Sequence, residues 1–207
     1  MTEFYFVRHG KTQFNLEGRF QGAKCDSPLL MQSIVDAKKV GVYLAQANLK
    51  FDAWYTSPLK RARKTGALIV DQLTQDLDEQ LAFGLREIEF GDLDGKIVRE
   101  YQTDPRVQAY LQVPSKYDAN LTGGENYADF LRRVDETLKE IQSKYPHGKI
   151  LVTSHGVLIS FWVKSKMGMA LDEIRPSGMV DNTSLTVVKT DDFHSFEVPI
   201  WNLTSYL

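Results

Sequence analysis

Hydrophobic and polar positions alternate in blocks along this chain. Phe4–Val7 is an unbroken run of strand-favouring residues that gives way at once to Arg8, His9 and Gly10, the pattern of a buried strand ending in a loop. Lys149–Ser154 repeats it and runs into His155-Gly156. Ala53–Thr56 is a third short strand, and Ser184–Lys189 with Ser195–Ile200 predicts a hairpin closing the sheet. Between these, apolar residues step by three and four. Leu30, Ile34, Ala37, Val40, Leu44 and Ala47 predict a helix opened by Ser27-Pro28 as N-cap and first turn. Leu59–Leu73 is a second helix, with Leu59, Ala62, Ala67, Leu68 and Val70 apolar. Gly123-Gly124-Glu125-Asn126 opens a third, to about Tyr145, and Val157 to about Met167 is a fourth. Strands alternating with helices imply an α/β fold, whose ligands collect beyond the carboxyl ends of the strands.

Other stretches lack a sustained period. Lys11–Ser27 is polar, carries Gly18 and Gly22, and reads as a long functional loop, which draws attention to Asn15, Arg19, Gln21 and Gly22. Leu81–Glu89 reads as another short strand or extended segment. Residues 97–124 hold Tyr101, Tyr110 and Tyr117, with Pro105 and Pro114 interrupting any long helix, and are expected to pass over a site as a lid or specificity excursion.

Composition narrows the function classes. The 207 residues, 43% hydrophobic and 25% charged with a formal net charge of −2, suit one globular domain over 1–207 and give no electrostatic footprint for nucleic acid. No apolar run approaches the roughly 18 residues of a membrane span. The start, Met-Thr-Glu-Phe, lacks signal-peptide features, and Cys25 is the only cysteine, so a cytoplasmic location is expected.

The candidate chemistry gathers at strand ends. Two strands each deliver a histidine and then a glycine, His9-Gly10 and His155-Gly156, an odd coincidence for two structural histidines. His147 and His194 lie in a turn and at a polar strand boundary and read as surface residues. Lys60, Arg61, Arg63 and Lys64 crowd the start of the second helix, where cations oppose the macrodipole; a bound anion would offset that. Glu87 and Glu89 share one face of an extended segment, and a carboxyl against an apolar wall is a usual route to a general acid. Gly10-Lys11-Thr12 is not a P-loop, because Tyr5 stands where the motif needs its first glycine. Cys25 is an unpromising thiolate, because Asp-Ser-Pro-Leu-Leu-Met follows it and supplies no cation. Four dispersed histidines and one cysteine give no metal-ligand spacing.

Taken in order, Arg8-His9-Gly10 with Asn15 and Gln21-Gly22, Thr56-Ser57-Pro58-Leu59 with Arg61-Ala62, Leu85-Arg86-Glu87, Gly123-Gly124-Glu125, Ser154-His155-Gly156 and Asn182-Thr183-Ser184 resemble the histidine phosphatase superfamily, also called phosphoglycerate mutase-like. The resemblance implies a three-layer α/β/α sandwich with a mostly parallel sheet, no metal or organic cofactor, and two-step phosphoryl transfer from a small-molecule phosphate ester through a phosphohistidine on His9. It makes Arg8, His9, Glu87 and His155 the catalytic set, with Glu87 as proton donor and acceptor. Arg8, Asn15, Gln21, Gly22, Arg61, Glu87, His155 and Gly156 become the substrate-binding set. Arg8 and Arg61 would balance the phosphate dianion, and His155, drawn to the same anion, is expected to favour its charged form. The first helix departs from the pattern, reading Leu29-Leu30-Met31-Gln32-Ser33 where the family commonly has Leu-Thr-x-x-Gly.

Within the resemblance, mutases continue from the acidic residue with Arg-His-Tyr-Gly and later carry a lysine, cations suited to a substrate carboxylate. This chain has Ile88-Glu89-Phe90-Gly91, then Lys96-Ile97-Val98, and Phe20-Gln21-Gly22 where mutases tend to have Phe-Thr-Gly. The expectation is therefore a phosphomonoesterase that disfavours carboxylates near Glu89. A cofactor-dependent phosphoglycerate mutase is the enzymatic alternative and a silent phosphate-binding regulator the non-enzymatic one; physiological substrate and oligomeric state are not legible.

Overall fold

The computed structural model describes all residues 1–207. Six strands, β1 (Thr2–Arg8), β2 (Ala53–Thr56), β3 (Glu79–Leu81), β4 (Lys149–Ser154), β5 (Leu185–Thr190) and β6 (Glu197–Leu203), form one sheet in the order β3-β2-β4-β1-β5-β6. The first four of that order run parallel; β5 pairs antiparallel with β1 and β6 antiparallel with β5, closing the sheet as the predicted hairpin. Seven helices accompany them: α1 (Gln13–Glu17), α2 (Met31–Gln46), α3 (Lys60–Val70), α4 (Pro105–Gln112), α5 (Tyr127–Lys144), α6 (Gly156–Lys166) and α7 (Leu171–Ile174).

The unbroken apolar runs are explained by helices on both faces of the sheet. Because side chains alternate along a strand, Phe4 and Phe6 of β1, Tyr55 of β2 and Val152 of β4 enter one core with Phe130, Val134 and Leu138 of α5 and Phe161 and Trp162 of α6. Tyr5, Val7, Trp54 and Leu151 enter the other, against Ala37, Val40 and Leu44 of α2 and Ile69 of α3. The result is a three-layer α/β/α sandwich with a mostly parallel sheet. Gly66 lets α3 lie close on that second face, since a Cβ there would stand 2.5 Å from the Trp54 ring.

The central pair β1 and β4 is in register from Glu3 opposite Lys149 to Arg8 opposite Ser154. The chain leaves β1 toward α2 on one face and β4 toward α6 on the other, so a crevice opens between them, the usual ligand position in such sheets.

Several boundaries differ from the sequence reading. The loop 11–27 contains α1, opened by a capping box in which Thr12 and Asn15 satisfy each other's backbone N–H groups. Helix α2 begins at Met31 rather than Ser27, with Leu30 as its N-cap. The Ser27 hydroxyl instead accepts from the Phe14 N–H at 3.0 Å and donates to Gln21 Oε1 at 2.5 Å, and a Thr12–Leu29 bridge keeps the segment extended. Helix α3 ends at Val70 and buries Arg61, Ala62, Thr65, Gly66 and Ile69; Ala67 faces solvent. The expected strand at 81–89 is displaced to Glu79–Leu81, followed by a 3₁₀ turn at Phe83–Leu85. Residues 97–124 fold into α4 and short 3₁₀ turns.

Candidate active site

A cavity of about 300 Å³ opens at the carboxyl ends of β1 and β4, and its lining includes Arg8, His9, Asn15, Gln21, Glu87 and Gly156. Arg61 and His155 are fully buried in its floor region, with the His9 and His155 rings edge to face at 5.2 Å between centroids. Gly22 is turned away: its N–H donates to Asp94 at 2.6 Å and its carbonyl accepts from Arg61 at 3.0 Å. The sequence-predicted residues thus converge, apart from Gly22, whose part is to close the loop around Arg61.

The end of β1 is pinned on every side. The His9 N–H donates to the Ser154 carbonyl, Thr183 N–H donates to the Arg8 carbonyl, and the Asn182 side-chain amide donates to the His9 carbonyl. The Asn-Thr-Ser run therefore positions the histidine without reaching the cavity. His9 Nδ1 lies 2.8 Å from the Gly10 carbonyl, which assigns the proton to Nδ1 and leaves the Nε2 lone pair free. Burial first, and then the Arg61 and Arg8 charges, hold the His9 pKa well below the ordinary imidazole value; the ring is neutral at neutral pH.

His155 is also pushed well below the ordinary value, by burial, Arg61 and His9. Two arginines sharing its low-dielectric site disfavour the charged form, whereas the expectation of a charged His155 concerned the ring beside a phosphate anion. Its Nε2 lies 2.7 Å from the Ser57 hydroxyl, and that hydroxyl accepts in turn from the Leu59 N–H. With Ser57 donating to Nε2, one of the two tautomers this contact allows, His155 carries its proton on Nδ1.

Glu87 sits at the N-terminus of α6. Its Oε1 accepts from the N–H groups of Ile88 at 3.0 Å and Leu158 at 3.1 Å, and its Oε2 from Val157 at 3.0 Å. Burial nonetheless raises its pKa above the usual carboxylate value, against those donors and the two arginines. Oε2, with one partner, has the room to exchange a proton with the cavity.

Five buried side-chain nitrogens lack a partner: Arg8 Nε, Gln21 Nε2 and Arg175 Nε belong to residues that line the cavity, and Arg61 Nε and His155 Nδ1 to residues buried next to His9. Each is aimed by the group's other bonds. Arg8 Nη1 is fixed to the Val180 carbonyl at 2.7 Å, and the guanidinium lies over Gly156, where a Cβ would stand 2.9 Å from Nε. Arg61 commits its two Nη atoms to the carbonyls of Gln21, Gly22 and Cys25 and to Asp26. Gln21 Oε1 accepts from Thr12 and Ser27, which turns its amide nitrogen away from them. Unpaired buried donors cost about 1–3 kcal/mol each, so a cluster of them marks a place for an acceptor-rich anion.

Other expectations are corrected. Of the cations beginning α3, only Arg61 enters the site; Lys60, Arg63 and Lys64 are exposed, and Arg63 pairs with Glu79. The acid balancing that helix start is Asp26, which accepts from the Lys60 N–H at 2.6 Å. Ile88 is fully buried and Glu89 pairs with Lys24, so neither faces the cavity. Cys25 does have a cation nearby, yet burial and Asp94 push its thiol up to about 11. His147 and His194 are exposed as expected. No group of three or more His, Cys, Asp or Glu side chains is placed to hold a metal ion, and no helix is long and apolar enough to cross a membrane.

Sequence reasoning missed Arg175 and Met179, which line the cavity together with Phe20, Phe90 and Tyr110. They lie in the short turn after α7, where neither periodicity nor motif marks them.

A site with a neutral imidazole lone pair, fixed cationic donors and a protonatable buried carboxyl is equipped to pass a phosphoryl group to and from a histidine. The family model of the histidine phosphatase superfamily (branch 1) matches residues 4–204, and the chain belongs to that superfamily. It is 35% identical to a 2,3-bisphosphoglycerate-dependent phosphoglycerate mutase of Rhizobium etli over 180 residues, covering 84% of this chain and 81% of that one. It is 32% identical to the uncharacterized phosphatase PhoE of Bacillus subtilis over 159 residues, covering 77% and 74%. The structure of Bacillus stearothermophilus YhfR superposes with a TM-score of 0.90 at 27% identity, covering 100% of this chain and 99% of that one.

Proposed function

We propose that the protein is a metal-independent phosphomonoesterase acting on a small-molecule phosphate ester through a phosphohistidine on His9. The unpaired donors beside the free Nε2 of His9 carry this reading. A phosphoryl group held by Arg8, Arg61, Gln21 and His155 has its charge matched by two guanidinium groups, and Asn15 adds a neutral donor at the rim. His9 Nε2 attacks phosphorus, the ester P–O bond breaks, and Glu87 gives its proton to the departing oxygen. Water then adds to phosphorus as the P–N bond breaks, its proton passes to Glu87, and inorganic phosphate leaves.

Hydrolysis is favoured over mutase chemistry by the supply of positive charge. A mutase must hold a bisphosphorylated intermediate, and beyond the phosphoryl cradle this cavity offers one uncommitted cation, Arg175; Arg19 is bound to Glu17 at 2.5 Å and to the Gly95 carbonyl. In this reading residues 97–124 supply the specificity wall through Val98, Tyr110 and Leu111. The mutase alternative has the Rhizobium etli relative in its favour. Turnover of phenyl phosphate, measured beside bisphosphate-primed interconversion of 2- and 3-phosphoglycerate, separates them. Hydrolysis with negligible isomerisation is expected, and efficient isomerisation with negligible hydrolysis overturns the proposal.

A further inference from the structure

Of the two cations in the cavity wall that phosphoryl chemistry does not use, Arg19 is paired with Glu17 and Arg175 has no carboxylate partner. Its guanidinium carbon stands 4.5 Å from the Tyr110 ring centroid and 5.4 Å from that of Phe161. It makes a long hydrogen bond, 3.4 Å to the Tyr127 hydroxyl; it has no carboxylate partner, and its buried Nε has no partner of any kind. Cation–π contacts fix the plane of a guanidinium but leave its donors unsatisfied. The backbone around it is anchored by Lys164, a nearly buried ammonium that donates to the carbonyls of Ile174 and Gly178 and to the Ser177 hydroxyl. Arg175 is thus held ready in the wall of a cavity that also presents Phe20, Phe90, Val98, Leu111 and Met179, with Arg19 beside them.

From this we infer that Arg175 is a specificity-determining residue, and that the substrate is a phosphate monoester whose leaving group carries one carboxylate. The inference rests on the proposed phosphomonoesterase reading and names its substrate class. A planar carboxylate matches the edge of a guanidinium in two parallel hydrogen bonds. One carboxylate is also balanced by one arginine, whereas a second phosphate dianion would exceed it. The aromatic and aliphatic wall then receives the leaving group's carbon skeleton. This reverses the expectation, drawn from Glu89, that carboxylates are disfavoured, because Glu89 lies outside the cavity and Arg175 within it.

Binding tests this without requiring turnover. Phosphonoacetate, 3-phosphonopropionate and 4-phosphonobutyrate bind without being cleaved, and each is compared with its neutral carboxamide and with the bisphosphonate of matching length by calorimetry. At least one carboxylate should bind about ten- to a hundredfold more tightly than its amide, the worth of one charge-assisted contact, and more tightly than the bisphosphonate. In Arg175→Met, which keeps an apolar stem beside Tyr110 and Phe161, that ratio should fall to near one while the amide still binds; Arg175→Lys should restore part of it. A native ratio at or below one at every length, tighter bisphosphonate binding, or a ratio that survives in Arg175→Met overturns the inference. Phenyl phosphate hydrolysis reports separately on the phosphomonoesterase reading, so failure of either is distinguishable from failure of the other.

Discussion

Replacing Glu87 by Gln removes the proton while preserving shape, and the structure fixes both consequences. Three backbone N–H groups converge on the carboxylate, two on Oε1 and one on Oε2. A carboxamide has one oxygen, so its NH₂ must face at least one of those donors. The best orientation keeps Ile88 and Leu158 bonded and strands Val157, at a cost of about 1–3 kcal/mol. For a domain of this size that lowers the melting temperature by roughly 2 to 12 °C, which leaves a folded protein to assay. Chemistry should suffer selectively. An alkyl phosphate needs its alkoxide protonated, so kcat/KM, which reports the first phosphoryl transfer, should fall by about 10²- to 10⁴-fold. Departing p-nitrophenolate scarcely needs that proton, and its kcat/KM should fall by less than about tenfold. Because the carboxylate of Glu87 is also the base of the water step, its loss should give a burst of nitrophenolate from p-nitrophenyl phosphate, followed by slow turnover. Equal loss of kcat/KM for the two esters would refute the assignment of Glu87 as the acid.

Two further outcomes follow from the same geometry. Gly156→Ala places a methyl 2.9 Å from Arg8 Nε, while Val180 holds the far end of the guanidinium; displacing Arg8 should lower kcat/KM by about tenfold to a hundredfold with the circular dichroism spectrum unchanged, and native activity in this variant would show that Arg8 does not touch the phosphoryl group. Because His9 and His155 are buried with depressed pKa values, the unfolded chain binds more protons than the folded one below about pH 6.5. Their contribution to stability is therefore complete above that value and lost as pH falls toward the folded-state values, so the melting temperature of a His9→Asn/His155→Gln protein should change less than the native one between about pH 7 and pH 5. Parallel curves would mean the two imidazoles are not held neutral.

The sheet was legible because its strands are covered on both faces. Phe4–Val7 and Ile150–Val152 are continuous apolar runs for that reason, and the histidines that follow β1 and β4 fall at the site because those strands end in register. The buried faces of α2 and α5 were likewise readable from their three- and four-residue steps, whereas α6 is buried without a break from Gly156 to Lys164. What the sequence hid was set by contacts distant along the chain. Ser27 looks like an N-cap until Phe14 and Gln21 claim its hydroxyl. Arg61 looks like one of four equivalent cations until the carbonyls of residues 21, 22 and 25 draw it inward. Glu89 and Ile88 sit next to Glu87 in sequence, yet Lys24 and the core take them out of the cavity. Arg175 carries no local signal, because the rings that hold it belong to α4 and α6.

The central claim is a covalent bond between phosphorus and His9 Nε2. Glu87→Gln, mixed with a ³²P-labelled aryl phosphate and quenched within milliseconds at alkaline pH, where phosphohistidine survives, should carry close to one label per chain. Peptide mapping should place that label on His9, and His9→Ala should carry none and lose about a millionfold in turnover. Label on Cys25 or on another residue, or rapid turnover by His9→Ala, would contradict the account.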